Sequence, residues 1–132
     1  MPVVIVAYSG GYVAAAWSVH HGGINRRVRG VVLFDALYGE VDKFSDWITK
    51  DRSRLFVSAY TSSTRSRNED LQRFLADRGI PFGHGIGAAK NAGSIAFLDI
   101  GSGSAHRDFV TQAWASHPLA DLLGRLNGYA RR

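Results

Sequence analysis

Apolar residues occur along the chain in two alternating patterns, which predict strands and helices in turn. Continuous apolar, β-branched runs are typical of strands that are covered on both faces, as in a parallel sheet. The clearest run is Val3 to Ala7. Strands are predicted at residues 3–7, 28–34, 54–60 and 94–100.

Apolar residues between these strands recur at the spacing of helices. In the segment 41–50, Phe44, Trp47 and Ile48 are apolar and the residues between them are mostly polar or charged, which predicts an amphipathic helix. Helices are predicted at residues 12–21, 41–50, 68–78, 108–115 and 118–126. The segment 82–93 is rich in glycine and poor in large apolar residues, so it is predicted as a flexible loop.

The alternation of strands and helices predicts a single α/β domain over residues 1–126, followed by a polar tail at 127–132. We expect three α/β/α layers around a four-stranded, mostly parallel sheet. Right-handed crossovers that always step in one direction place the first strand at the sheet edge and the first three helices on one face. An apolar edge strand and a partly bare second face normally need a partner, so we expect a homodimer or higher homo-oligomer.

Composition and charge narrow the class of protein. The 132 residues suit one domain, and the absence of cysteine excludes disulfides, thiolate metal sites and a cysteine nucleophile. The net charge of +5 comes mostly from arginines scattered at element boundaries, which favours a solvated surface over nucleic-acid binding. Apolar runs fall well short of the ~20 residues that span a bilayer. No signal peptide is predicted, so a cytoplasmic location is expected.

Three polar residues follow predicted strands, where ligands bind in open parallel sheets. Ser9 follows the first strand, Asp35 the second and His106 the fourth. The remaining histidines do not directly follow a predicted strand. His20 and His21 lie at a helix end, His84 lies in the glycine-rich loop, and His117 precedes a proline. Their spacing matches no zinc motif such as H-E-x-x-H, and no metal is expected.

The segment from Ala7 to Gly11, A-Y-S-G-G, joins a buried strand to a helix with almost no slack. A side chain at the centre of such a turn needs a strained backbone and very small neighbours two residues away on each side, as Ala7 and Gly11 are. The backbone N–H of Gly10 then lies at a helix N-terminus, where it can stabilise an oxyanion. A plain tight turn whose serine caps the helix is the alternative.

This turn resembles the nucleophile elbow of the α/β-hydrolase family, G-x-S-x-G, with alanine in place of the first glycine. The resemblance covers nearly the whole chain but only the carboxyl-terminal half of the family's fold. It implies that Ser9 is the nucleophile, that His106 is the general base and then acid, and that Asp35 orients the imidazole. It implies no cofactor. Asp35 as a cap or loop residue and His106 as an ordinary loop histidine remain alternatives.

The resemblance leads us to expect a small, promiscuous serine esterase that hydrolyses short-chain esters, lactones or polyesters through an acyl-Ser9 intermediate. Without the family's early strands the site should be shallow. Side chains next to strand ends are expected to line the acyl pocket: Tyr8, Tyr12, Leu37, Tyr38 and Tyr60. The family's second oxyanion donor comes from a loop after an early strand that is absent here. Tyr12, Tyr38, Tyr60 or a second copy of the chain could replace it.

Two other functions stay open. A strand, a glycine turn, a helix and a second strand ending in Asp35 also describe a dinucleotide-binding unit, although Tyr12 occupies the place of the third glycine in that motif. A catalytically degenerate hydrolase fragment that serves as an interaction domain is the other possibility.

Overall fold

Strands and helices alternate in the computed structural model, which describes residues 3–21, 27–85, 88 and 93–100. Two short 3-10 helices, Ser9–Gly11 and Ser62–Thr64, lead into the first and third α-helices. The elements are β1 (Val3–Tyr8), α1 (Tyr12–His21), β2 (Val28–Phe34), α2 (Val41–Lys50), β3 (Leu55–Tyr60), α3 (Arg65–Asp77), β4 (Gly83–His84) and β5 (Ile95–Asp99). The helices predicted at 108–115 and 118–126 and the tail at 127–132 lie outside the described residues.

The sheet is parallel throughout, with the strand order β1-β2-β3-β5-β4. The predicted α/β class and parallel sheet are therefore confirmed, and among the described strands β1 lies at the edge, as predicted. Tyr8 pairs with Phe34, and Phe34 pairs with Ala59. This register aligns the carboxyl ends of β1, β2 and β3 at the same end of the sheet. The residues that follow these strands are therefore neighbours.

The predicted count of four strands is wrong, because β4 lies in the segment predicted as a flexible loop. Gly83 and His84 pair with Ala96 and Phe97 of β5. The Phe82 ring contacts the Phe97 ring edge-on, with the ring centroids 5.4 Å apart, and this contact holds the short strand beside β5. A two-residue strand that contains a glycine has no apolar run or alternation from which it could be predicted.

The two faces of the sheet have different coverings. On one face, α1, α2 and α3 pack against the strands, which confirms their predicted common side; fully buried Phe44 and Leu71 contribute to this core with Phe56 of β3. On the second face, Val32 and Val57 are also fully buried. Val6 of β1 is 40% exposed there, so within the described residues exposure on this face is concentrated at the β1 edge.

Helix α3 begins three residues earlier than the helical spacing predicts. The Thr61 side chain accepts a hydrogen bond from the backbone N–H of Ser63, and residues 62–64 wind directly into α3 as a 3-10 helix. The polar sequence at this point is therefore the start of the helix. Among the described helices, none is long and apolar enough to cross a membrane.

Candidate active site

Ser9 is the residue at which the chain turns from β1 into α1. Its φ of 54° lies in the left-handed region, as the predicted strained turn requires. A non-glycine residue in this region costs on the order of 1 kcal/mol and persists only where the surroundings impose it. The Ser9 carbonyl accepts a hydrogen bond from the backbone N–H of Tyr12, which ties the turn to the first residue of α1.

Small residues flank the turn. A Cβ atom placed on Gly11 would lie 3.6 Å from the Cβ of Ala7, which is ordinary van der Waals contact. An alanine therefore fits at position 11. Gly10 is exposed between Ser9 and Gly11, at the amino end of the helical segment, where backbone N–H groups carry partial positive charge.

Asp35 lies at the end of β2, the strand next to β1, and it also has a left-handed backbone, with φ of 47°. Its side chain is fully buried. Its Oδ1 accepts hydrogen bonds from the Thr61 backbone N–H at 3.0 Å and from Thr64 Oγ1 at 2.6 Å, and its Oδ2 accepts one from Thr61 Oγ1 at 2.8 Å. The Asp35 carboxylate thus joins the carboxyl end of β2 to the turn after β3.

Tyr38 is close enough to Asp35 for the charge of Asp35 to affect its phenol. Burial and the nearby Asp35 and Tyr8 side chains raise the pKa of Tyr38, and the Ser9 side chain offsets this in part. The phenol therefore stays protonated well beyond neutral pH.

The five predicted pocket residues fall into two groups. Tyr8, Tyr12 and Tyr38 reach the surface, and the Tyr12 and Tyr38 rings are 5.9 Å apart at an interplanar angle of 45°. Leu37 is fully buried in the core on the helical face. Tyr60 is 5% exposed in the same core, and its hydroxyl accepts a hydrogen bond from Gln72 Nε2 at 3.4 Å. We therefore leave Leu37 and Tyr60 out of the substrate-binding surface.

His106, the predicted general base, lies outside the described residues, so its assignment stays a prediction. Within the part of the chain that the structure describes, no three histidine, cysteine, aspartate or glutamate side chains come together as a metal site.

Thr61 and Thr64 are the site residues that sequence reasoning did not identify. They precede the helix predicted at residues 68–78. The available signal was their position after β3, because the carboxyl ends of parallel strands share one sheet edge and a polar turn there can donate to Asp35.

Comparisons with protein-family models, with curated proteins and with solved structures find no match to this chain.

Proposed function

We propose that the protein is a serine hydrolase that cleaves carboxylic esters. The observation that carries this proposal is the left-handed backbone of Ser9 in a tight turn between a parallel strand and a helix. Such a turn presents a side-chain oxygen beside the backbone N–H groups of a helix N-terminus, the arrangement that acyl transfer to a serine requires.

In the proposed reaction, Ser9 Oγ attacks the ester carbonyl carbon while His106 takes its proton. The Gly10 backbone N–H donates a hydrogen bond to the oxyanion that forms. Collapse of the intermediate expels the alcohol, which receives the proton from His106, and water then hydrolyses the acyl-Ser9 ester by the same route. Asp35 holds the imidazole in the required orientation, and no cofactor takes part.

The burial of Asp35 favours ester hydrolysis over dinucleotide binding as the function. A carboxylate that holds a ribose must be reachable by the ligand, whereas the Asp35 side chain is fully buried and accepts hydrogen bonds from Thr61 and Thr64. A carboxylate that orients a histidine is normally buried. Since a carboxylate can accept about four hydrogen bonds, holding this turn is compatible with also orienting an imidazole.

The surface beside the Ser9 turn suits short acyl groups. A mainly apolar groove of about 380 Å³ runs between β1 and α1, and Tyr8 and Gly11 line its end at the turn. Small side chains such as Ala14 and Ser18 line the rest of its helical wall. We therefore propose short-chain esters as substrates, with larger esters or polymer surfaces entering only at their ends.

Turnover of p-nitrophenyl esters of increasing acyl length tests the proposal. The wild-type protein should hydrolyse the acetate and butyrate and lose activity with longer chains. His106→Ala and Asp35→Asn should lower kcat by ~10³-fold or more, since members of such a triad act as a unit. Thr49→Ala, which removes an α2 hydroxyl away from the site, is the control and should keep full activity. Full activity in both triad variants would contradict the assignment.

We also propose that the protein forms a homodimer through the β1 edge. Val6 of β1 is an apolar side chain that is 40% exposed on this strand. Light scattering should give a dimer for the wild type and a monomer for Val6→Lys, with Ala76→Lys on the exposed side of α3 as a dimeric control. A wild-type monomer at micromolar concentration would contradict this proposal. A stable dimer without esterase activity would instead favour the interaction-domain function.

A further inference from the structure

A buried polar network connects β3 to the first turn of α3. The Ser58 hydroxyl donates to Asn68 Oδ1, and Asn68 Nδ2 donates to the Thr64 carbonyl at 2.9 Å. All three residues are buried under α3, whose Leu71 and Leu75 belong to the apolar core. Polar groups in such a core cost free energy unless they are hydrogen-bonded, whereas an apolar pair of similar size would be accepted there. The network therefore indicates a role beyond packing.

Thr64 extends this network to Asp35. Its Oγ1 donates to Asp35 Oδ1 at 2.6 Å. Thr64 is the N-cap residue of α3, a position at which a threonine side chain commonly accepts a hydrogen bond from the first turn of the helix. In the described first turn of α3 it accepts none, and the hydroxyl is donated to the carboxylate. Because Asn68 holds the carbonyl of the same residue, both the backbone and the side chain of Thr64 are fixed.

The turn after β3 holds the Asp35 carboxylate in one rotation. Its Oδ1 accepts hydrogen bonds from Thr64 Oγ1 and from the Thr61 backbone N–H, and its Oδ2 accepts one from Thr61 Oγ1 at 2.8 Å. Each carboxylate oxygen accepts about two hydrogen bonds, so the turn fills the capacity of Oδ1. An imidazole that Asp35 orients would therefore bind at Oδ2. Rotation of the carboxylate would move that oxygen away from the imidazole N–H.

We propose that Thr64 and Asn68 are positioning residues for ester hydrolysis, an inference that rests on the proposed function. Thr64 fixes the rotation of the Asp35 carboxylate, so that Oδ2 faces the imidazole of the general base. Asn68 fixes Thr64 through its carbonyl, and the Ser58 hydroxyl holds the other side of the Asn68 amide. The reaction depends on this chain of contacts because the general base works only while its imidazole is held in one orientation.

A pair of apolar substitutions in the full chain separates positioning from packing. Ser58→Ala with Asn68→Leu removes both partners of the buried hydrogen bond together, so the protein should keep its thermal midpoint within a few degrees. The kcat for p-nitrophenyl acetate should still fall by about 10-fold or more with KM nearly unchanged, because the orientation of the acid is lost. Ser45→Ala, which removes another buried serine hydroxyl on α2, is the control and should keep full kcat. Wild-type kcat in the double variant would overturn the proposal.

Variants at Thr64 test the same chain of contacts even where the double variant does not fold. Thr64→Ser keeps the hydroxyl and should retain kcat within a few-fold. Thr64→Val has nearly the same shape without the hydroxyl and should lower kcat by ~10- to 100-fold. Adding Ser58→Ala and Asn68→Leu to Thr64→Val should lower kcat no more than a few-fold further, because Asn68 acts through Thr64. Equal kcat of Thr64→Ser and Thr64→Val, or losses that multiply in the combined variant, would contradict this route.

Failure of the esterase function itself would give a different result. The wild-type protein would then hydrolyse no ester, and both proposals would be wrong. If instead the wild type is active and the Thr64→Val and double variants share its kcat per folded chain, the esterase function stands. The network would then have a structural role only, and the positioning role would be wrong.

Discussion

The turns after β1 and β2 each contain a residue with a left-handed backbone, but different interactions stabilise the two turns. Ser9 and Asp35 both have left-handed backbones, with φ of 54° and 47°. The Asp35 turn is fully buried and its side chain accepts three hydrogen bonds from Thr61 and Thr64. The Ser9 turn follows the strand at the edge of the described sheet, where Ala7 lies beside Gly11 and α1 begins directly after the turn.

The two residues therefore differ in how their strained backbones are stabilised. At Asp35 the side chain stabilises the turn that holds it, so its backbone strain is offset locally by hydrogen bonds to a carboxylate, which are among the stronger ones in proteins. Ser9 is half-buried beside the exposed Gly10, and the strain there is balanced mainly by the surrounding fold. We infer that the Asp35 side chain stabilises the fold through this turn, whereas the Ser9 side chain adds little to stability.

Asp35→Ala should have the largest effect on stability. It leaves the Thr61 N–H and the Thr61 and Thr64 hydroxyls without their acceptor in a buried turn, which should lower the free energy of unfolding by about 3 kcal/mol or more. Asp35→Asn keeps one oxygen acceptor and should cost about 1–2 kcal/mol. Urea denaturation measures both. A loss below about 1 kcal/mol for Asp35→Ala would remove the contrast between the two turns.

Ser9→Gly and Ser9→Ala form a matched pair that measures the strain at the other turn. Both remove the hydroxyl, but only glycine adopts the left-handed backbone without a Cβ penalty. Ser9→Gly should therefore be more stable than Ser9→Ala by about 1 kcal/mol. Equal stability of the two variants in chemical denaturation would mean that the turn is not strained.

Gly11→Ala and Gly11→Val test the packing that holds the Ser9 turn. The alanine Cβ would sit at 3.6 Å from Ala7, so Gly11→Ala should change stability by no more than about 0.5 kcal/mol. Gly11→Val adds an isopropyl group with restricted χ1 next to Ala7. It should lower the free energy of unfolding by about 1 kcal/mol or more and reduce esterase activity. Thermal melts and ester turnover of both variants check this, and a fully stable, active Gly11→Val would show that small size at position 11 is unnecessary.

Alkaline pH should produce the smallest effect, through Tyr60 in the core behind the Asp35 turn. Burial raises the pKa of Tyr60 above its unfolded value, near 10, so the folded state keeps a proton that the unfolded state loses. This contribution to stability is present below about pH 10 and is lost as the pH rises further. Relative to Tyr60→Phe, wild-type stability should be constant up to pH 9 and fall above pH 10. A constant difference across this range would contradict the sign.

Much of the fold could be predicted from the sequence because long periodic segments determine it. The β-branched run of β2 and the amphipathic spacing of Phe44, Trp47 and Ile48 each fix an element with its bounds. One-directional crossovers then fix the strand order. The short strand β4 could not be predicted, because its stability comes from pairing with β5 and from the contact of Phe82 with Phe97.

Less of the candidate site could be predicted, since it depends on contacts between loops. The tight turn at Ser9 follows from the small residues around it. The partners of Asp35 depend on the register between β2 and β3, which brings Thr61 to the end of β2, and no pattern in either segment alone indicates this. The burial of Leu37 and Tyr60 likewise follows from which side of the sheet each faces.

Labelling with a fluorophosphonate, read out by intact mass and peptide mapping, tests the central claim that Ser9 is an activated nucleophile. We expect one phosphonyl group per folded wild-type chain, attached to Ser9. We expect no label on Ser9→Ala or on wild-type protein unfolded in urea. Folded wild-type protein that stays unlabelled, or that is labelled at a residue other than Ser9, would contradict the assignment of Ser9 as the nucleophile.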